Sequence, residues 1–153
     1  LEFRRVLFRS GDKMIKIIIG IGMLLSMNLF ASFDEGQIEY KKGNIKLASE
    51  HYTKGCKDGD PYSCIELGKL YASGKGIKLK TKKAKKIFTK YCKKGYTGSC
   101  YQLGVMHYLG NGVEINKKKA KGAFGIACTY GHEQACTMYR KLDSQMDLHV
   151  IKK

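Results

Sequence analysis

Proline and strand-forming patterns are nearly absent from this sequence of 153 residues. Its one proline is Pro61, and no segment shows the alternation of apolar and polar residues that is typical of a half-buried strand. Because proline interrupts helices, a chain with so little of it can be helical over most of its length. The lack of strand patterns argues against a sheet-based fold, and the single proline fits an all-α protein.

Arginine is also scarce, although the chain is strongly basic. Residues 32–153 carry 24 Lys and Arg against 11 Asp and Glu, and Arg140 is the one arginine among them. Arginine is the favoured side chain for reading phosphates and base edges, so its scarcity argues against a nucleic-acid partner. An unspecific attraction to anionic polymers or surfaces remains open.

The short motifs of familiar catalytic and metal sites are missing. Ser-x-x-Lys, which places a nucleophile one helical turn from a lysine, occurs only at residues 10–13. The four histidines are scattered, at His51, His107, His132 and His149. We therefore predict no catalytic residue, no metal ligand and no cofactor. His107 is expected in the interior or at an interface, and the other three histidines are expected to be exposed.

The one long apolar run covers residues 17–30, near the N-terminus. It follows Met14-Ile15-Lys16 and ends before Ala31-Ser32, which is the layout of a secretory signal peptide cleaved after Ala31. A membrane-spanning helix needs roughly 20 apolar residues, more than this run has. We therefore predict a signal peptide at 14–31, a cloning or assembly scar at 1–13, and a secreted or periplasmic protein that does not span the membrane after cleavage.

A unit of 36 residues is written twice in the middle of the chain. Residues 64–99 and 100–135 match at 12 of 36 positions. A fixed period of this length is the mark of stacked repeats, each one a supersecondary unit. Apolar residues recur every three or four positions within the unit, as in a helix. The predicted helices cover 44–56, 61–73, 81–94, 97–109, 116–130 and 132–142, after a short leading helix.

The six cysteines follow the same period, as three Cys-x7-Cys pairs. Bridges within one helical hairpin, such as Cys64 with Cys92, would leave Cys56 and Cys136 without partners. The alternative scheme uses all six cysteines and joins each hairpin to the next, which favours it. It consists of the bridges Cys56–Cys64, Cys92–Cys100 and Cys128–Cys136. Disulfides in turn indicate an oxidising compartment.

The repeat resembles a known family. Leu67-Gly68, Tyr71, Gly74-x-Gly76 and Phe88 are similar to the Sel1-like repeat, a relative of the tetratricopeptide repeat. The second copy carries the same pattern at Leu103-Gly104, Gly110-x-Gly112, Lys119-Ala120 and Phe124, with His107 in the place of Tyr71. With a Cys-x7-Cys pair at each junction, the chain resembles the Helicobacter cysteine-rich proteins.

The resemblance implies a right-handed α/α superhelix, a solenoid of disulfide-stapled helical hairpins, over residues 32–142, followed by a polar tail at 143–153. First helices of such repeats line a concave face that binds proteins or peptides. Positions on the first helices outside the core stripe are therefore the candidate binding residues: Glu66, Lys69, Gln102 and Met106.

Two functions follow from the resemblance. The first is a binding module for a protein, a peptide or peptidoglycan fragments. The alternative is a penicillin-binding protein with weak β-lactamase activity, since the cysteine-rich group commonly carries that label. The missing motifs favour the binding module.

Overall fold

A computed structural model describes the backbone of residues 32–151 and the side chains of residues 32–145. The predicted scar at 1–13 and the predicted signal peptide at 14–31 lie outside the described residues. Across the described part of the chain the secondary structure is helical, with no strand. The all-α solenoid expected from the sequence is therefore the fold of this protein.

Seven helices form the described part of the chain. After the first, α1 at residues 32–41, they are α2 Ile45–Lys57, α3 Pro61–Ser73, α4 Thr81–Lys93, α5 Thr97–Leu109, α6 Lys117–Thr129 and α7 Glu133–Ile151. From α2 onward each helix packs against the next one in the sequence. The arrangement is a linear stack of antiparallel hairpins, α1–α2, α3–α4 and α5–α6, closed by α7.

Local chemistry defines the ends of α3. The Asp60 carboxylate accepts hydrogen bonds from the backbone N–H groups of Tyr62 and Ser63, and Pro61 occupies the first helical position. At the other end Gly74 takes φ 65°, the left-handed conformation that stops a helix at little cost in glycine.

The predicted end of the last helix was wrong, and the start of α2 lacks a side-chain cap. The last helix does not stop near Leu142 but runs to Ile151, because no glycine or proline follows to end it. Asn44 precedes α2, yet its side chain makes no capping bond. Its amide instead donates to the Glu39 carboxylate at 2.7 Å, across the tight turn between α1 and α2.

Disulfides join the successive hairpins. They link Cys56 to Cys64, Cys92 to Cys100 and Cys128 to Cys136, with Cα–Cα distances of 4.5, 4.5 and 4.6 Å. Each connects the end of one hairpin's second helix to the first helix that follows. This is the pairing that uses all six cysteines. Repeat arrays are held by nearest-neighbour contacts, and the bridges add a covalent link at each junction.

An aromatic ring packs against a glycine inside every hairpin. Phe88 lies over Gly68 and Phe124 over Gly104, and both rings are fully buried. The first hairpin has the same contact between Tyr52 and Gly36. Tyr52 lies 36 residues before Phe88, but the shorter turn of this hairpin places Gly36 only 32 residues before Gly68, outside the 36-residue spacing.

Candidate binding groove

One groove crosses the first helices of two successive repeats. It has a volume of about 340 Å³ and brings together Glu66 and Lys69 of α3 with Gln102 of α5. These are three of the four binding residues predicted from the sequence. The rest of the wall comes from the end of α1, the end of α3 and the two glycine loops: Tyr40, Leu70, Ala72, Ser73, Lys75 and Asn111.

Glu66 and Lys69 form an ion pair on the floor of the groove. The Lys69 ammonium lies 2.6 Å from a Glu66 carboxylate oxygen, and the two side chains are 42% and 26% exposed. Residues three apart on a helix face the same direction, so the pair presents one cation and one anion side by side. A ligand therefore meets both a hydrogen-bond donor and an acceptor with fixed positions.

Lys75 and Tyr40 form the next part of the wall. The Lys75 ammonium lies 5.3 Å from the centre of the Tyr40 ring, a cation–π contact that holds the charge over an aromatic face. Across the groove Gln102 and Asn111 contribute carboxamides, each able to donate and accept hydrogen bonds. The groove combines cations, one carboxylate and two amides around a small apolar surface.

The groove is built from equivalent positions of the two repeats whose residues differ. Gln102 lies 36 residues after Glu66, and Asn111 lies 36 residues after Lys75. Equivalent positions point the same way in stacked repeats, which is why these four meet on one face. Lys75 and Asn111 were not predicted from the sequence. The signal that could have found them is that these equivalent positions carry different residues between glycines that are the same in both loops.

Met106 does not belong to the groove, and its prediction was wrong. The side chain is 2% exposed and packs with Ala84 and Phe88 of the preceding hairpin. Each first helix lies between two second helices, so its buried arc is wider than a single stripe. Leu70, the equivalent residue one repeat earlier, is buried as well, at 3% exposure.

His107 lies at the boundary of the core, as expected for a residue in the place of Tyr71. Its Nδ1 atom is buried and has no hydrogen-bond partner among the described residues. Burial lowers the pKa of His107, and the nearby Lys85 lowers it further, while a hydrogen bond with the Glu114 backbone acts in the opposite direction. The imidazole is therefore held towards its neutral form.

The prediction that the other three histidines are exposed is wrong for His51 and His132, which are both partly buried. His51 is partly buried and its Nδ1 lies 2.9 Å from a Glu35 carboxylate oxygen. His132 stacks on Tyr101 with ring centres 4.6 Å apart, and its Nδ1 accepts a hydrogen bond from the Ala135 N–H at the start of α7. The side chain of His149 lies outside the described residues.

Four of the described serines are either buried or hydrogen-bonded to the backbone. Ser63 and Ser99 are fully buried beside the junction cysteines, out of reach of a substrate. The hydroxyls of Ser49 and Ser73 donate to backbone carbonyls within their own helices.

Within the described side chains no cluster of three or more His, Cys, Asp and Glu residues could hold a metal ion. None of the described helices is long and apolar enough to cross a bilayer.

Two further cavities lie around α2. One of about 530 Å³ is bounded by the turn at Gly43 and the first residues of α2, and another of about 340 Å³ lies between α2 and the glycine loop. Gly76 and Glu50 contribute to both. Neither contains a residue that the sequence predicted to bind a ligand.

The fold has counterparts among solved structures. A protective antigen of uropathogenic Escherichia coli that displays an SLR fold superposes with a TM-score of 0.71 at 24% identity, over 76% of this chain and 26% of that one. A Sel1 repeat protein from Oxalobacter formigenes superposes with a TM-score of 0.66 at 24% identity, over 74% of this chain and 48% of that one. Both likenesses show the fold.

A third structure is similar in sequence as well. Helicobacter pylori cysteine rich protein B is 32% identical, with a TM-score of 0.53, over 63% of this chain and 71% of its own. The chain belongs to the Sel1-like repeat proteins. Its junction disulfides make it similar to the cysteine-rich members of that family, although no family model matches the sequence.

A curated relative of this Sel1-like repeat chain carries an enzyme name. The Helicobacter pylori protein HcpE, whose name assigns it β-lactamase activity only provisionally, is 34% identical over 74 residues. The match covers 44% of this chain and 21% of HcpE. The chain thus spans about a fifth of the length of that relative.

Proposed function

We propose that this protein is a peptide- or protein-binding module whose ligand occupies the groove between α3 and α5. The observation that carries the proposal is the convergence of Glu66, Lys69 and Gln102 on one solvent-open groove at the first helices. Repeat arrays use their extended faces for binding, so the position agrees with the fold.

The groove chemistry suits a peptide better than an apolar small molecule. Gln102 and Asn111 match the alternating donors and acceptors of an extended backbone, and Lys69 and Lys75 attract carboxylates. Peptidoglycan fragments offer the same groups, since their stem peptides carry amides and carboxylates. The proposal therefore covers both kinds of ligand, and free peptides are the one to test first.

Panning a library of random 12-residue peptides on the oxidised protein tests the groove directly. We expect enriched peptides to lose about tenfold in affinity for Lys69→Ala and for Gln102→Ala, since each removes a polar contact to the ligand. Soluble muropeptides, measured by calorimetry with the same variants, test the cell-wall ligands. Gln134→Ala is the matched control, because Gln134 is exposed on α7 outside the groove. Equal affinity for all three variants would contradict the proposal.

An oxidising compartment outside the cytoplasm is the proposed location. Its support is the set of three disulfides, which such compartments maintain, together with the predicted signal peptide. Mass spectrometry of the protein recovered from a bacterial periplasm checks it. We expect an N-terminus at Ser32, and a chain that retains residues 14–31 would argue against export by this signal.

β-Lactam hydrolysis is the second candidate, and the name of HcpE is what favours it. Residues 32–153 contain no Ser-x-x-Lys motif, and Ser63 and Ser99 are buried. Nitrocefin turnover by the purified, oxidised protein discriminates the two functions. Turnover well above that of serum albumin at equal concentration would favour the hydrolase over the binding module.

A further inference from the structure

The connections within the three hairpins form one continuous edge of the solenoid, here called the loop edge. It consists of the turn at 42–44, the loops at 74–80 and 110–116, and the helix turns that adjoin them. A side chain added at Gly76 would collide with Ile45, and one added at Gly112 would collide with Thr81. Each glycine loop therefore rests on the start of the preceding second helix, which places the connections in a row.

Large aliphatic side chains protrude from this edge. Leu79 and Ile115 stand at the same position of successive loops and are 55% and 62% exposed. Leu109, at the end of α5, is 55% exposed, and Leu47, in the first turn of α2, is 42% exposed. Single exposed apolar residues are ordinary on protein surfaces, but four along one edge, two of them repeat-equivalent, form a pattern.

Lysines surround these aliphatic side chains. Lys78 and Lys80 flank Leu79, Lys117 and Lys118 follow Ile115, and Lys46 precedes Leu47. Among the described residues the acidic groups on the edge are Glu114 and Glu39, and Glu39 is already paired with Lys42 at 2.8 Å. The first turns of α2, α4 and α6 contain no acidic residue. The loop edge thus carries a large excess of positive charge around its exposed aliphatic side chains.

We propose that the loop edge docks onto an anionic phospholipid bilayer. Aliphatic side chains enter the acyl boundary while the lysines beside them contact headgroup phosphates, the combination used by peripheral membrane proteins. Charge complementarity favours an anionic over a zwitterionic surface. The protruding aliphatic residues favour a bilayer over a hydrated polyanion, which offers them no apolar phase to enter. The peptide groove shares Lys75 and Asn111 with the two loops of this edge, but the aliphatic residues and lysines that carry the inference lie outside the groove wall. The inference therefore does not rest on the proposed function.

Flotation with vesicles of three parts phosphatidylcholine to one part phosphatidylglycerol tests the docking. We expect the full chain, with its disulfides intact, to bind these vesicles and to bind less as salt is added. Leu79→Ser with Ile115→Ser, and separately Lys78→Gln with Lys118→Gln, should each lower the partition coefficient about tenfold. Residues 1–31 are common to all variants, so any affinity of that segment cancels in the comparison.

Matched controls make the same chemical changes at the opposite edge. Lys57→Gln with Lys93→Gln removes two exposed lysines at the ends of α2 and α4. Ile126→Ser with Tyr130→Ser removes two exposed apolar residues, one in the last turn of α6 and one at its C-cap. We expect each control to change binding by less than about twofold, since its sites lie about a helix length from the bilayer. Equal losses for the two lysine pairs would show diffuse charge attraction and overturn the proposal.

A polyanion site is the other outcome that would overturn it. In that case the lysine variant would lose binding to vesicles and to dextran sulfate, whereas Leu79→Ser with Ile115→Ser would bind both as the unmodified chain does. Hydrogen exchange of the unmodified protein provides evidence that does not depend on variants. Vesicles should protect the amides of residues 74–80 and 110–116 and leave those of residues 57–60 and 93–96 unchanged; the reverse pattern would contradict the docking.

Discussion

A side chain at Gly104 would occupy the same space as the ring of Phe124. A Cβ atom built on Gly104 would lie 2.6 Å from both Cδ1 and Cε1 of Phe124, well inside van der Waals contact. Phe124 is fully buried, so its ring has no free space to move into. The close approach of α5 and α6 therefore depends on glycine, which has no side chain, at position 104.

Gly104→Ala should lower the free energy of unfolding, measured by urea denaturation, by about 2 kcal/mol, the middle of the usual range for overpacking a core. Gly122→Ala is the matched control. Gly122 lies in α6 with open space around its Cβ position, so alanine should instead stabilise that helix by about 0.5–1 kcal/mol. Equal effects of the two substitutions would mean that the Gly104–Phe124 contact does not limit the packing.

Reduction should destabilise the protein strongly. Each bridge spans a sequence separation of 8 residues. For loops of that size the chain-entropy model gives about 2.5 kcal/mol per bridge, or about 7.5 kcal/mol for three. That sum is comparable with the whole net stability of a small domain, about 5–15 kcal/mol. We expect excess dithiothreitol to lower the melting temperature sharply, while oxidised dithiothreitol leaves it unchanged. Coincident melting curves would show that packing alone holds the junctions.

Tyr52→Phe should stabilise the protein. The Tyr52 hydroxyl is buried and has no hydrogen-bond partner among the described residues, so its removal relieves a desolvation cost of about 1 kcal/mol. Burial also raises the pKa of Tyr52 to about 12, with a smaller contribution from Glu66. The unfolded chain therefore loses this proton first, and stability present below pH 10 is lost as the pH rises towards 12.

Urea denaturation between pH 9 and 11 measures both effects of Tyr52→Phe. The variant should be more stable at pH 9 and should lose less stability by pH 11 than the unmodified protein. Parallel pH profiles would mean that Tyr52 ionises as readily in the folded protein as in the unfolded chain.

His107→Tyr should reduce the sensitivity of the fold to acid. The pKa of His107 is lowered in the folded protein, so the unfolded chain takes up this proton more readily. Stability from the neutral imidazole is present above pH 6.5 and is lost as the pH falls below that value. The equivalent residue of the preceding repeat is a tyrosine, Tyr71. A phenol side chain ordinarily ionises only near pH 10, far above this range. Urea midpoints at pH 7.5 and pH 5 should therefore differ less in the variant.

Proton NMR titration of the unmodified protein provides an independent measurement. The ring signals of His107 should titrate below pH 6.5, whereas a midpoint at or above that value would contradict the burial argument.

Local signals in the chain were sufficient to predict most of the helices and all three bridges. Helix ends at Asp60 and Gly74 follow from capping chemistry, which involves only residues close in sequence. The extension of α7 to Ile151 was missed because the last part of the chain has neither an apolar stripe nor a stop signal.

Contacts between repeats were beyond the sequence pattern. When α5 is considered only with its hairpin partner α6, the sequence predicts that Met106 faces the groove. In the structure Met106 is buried against α4 of the preceding hairpin. Gly36 and Tyr52 make the contact seen in the later hairpins, at a spacing shortened by the tight turn. Both cases depend on contacts between helices, and the spacing of residues within one helix does not predict such contacts.

The sequence by itself determined the repeat and its helices, because periodicity and capping act within a few turns of the chain. The cysteine spacing likewise determined which repeats are linked, since only one regular scheme uses all six thiols. Only the tertiary structure decided which first-helix side chains face solvent together, because each first helix packs between two second helices. That packing removed Met106 from the groove and brought Lys75 and Asn111 into it, beside Glu66 and Gln102.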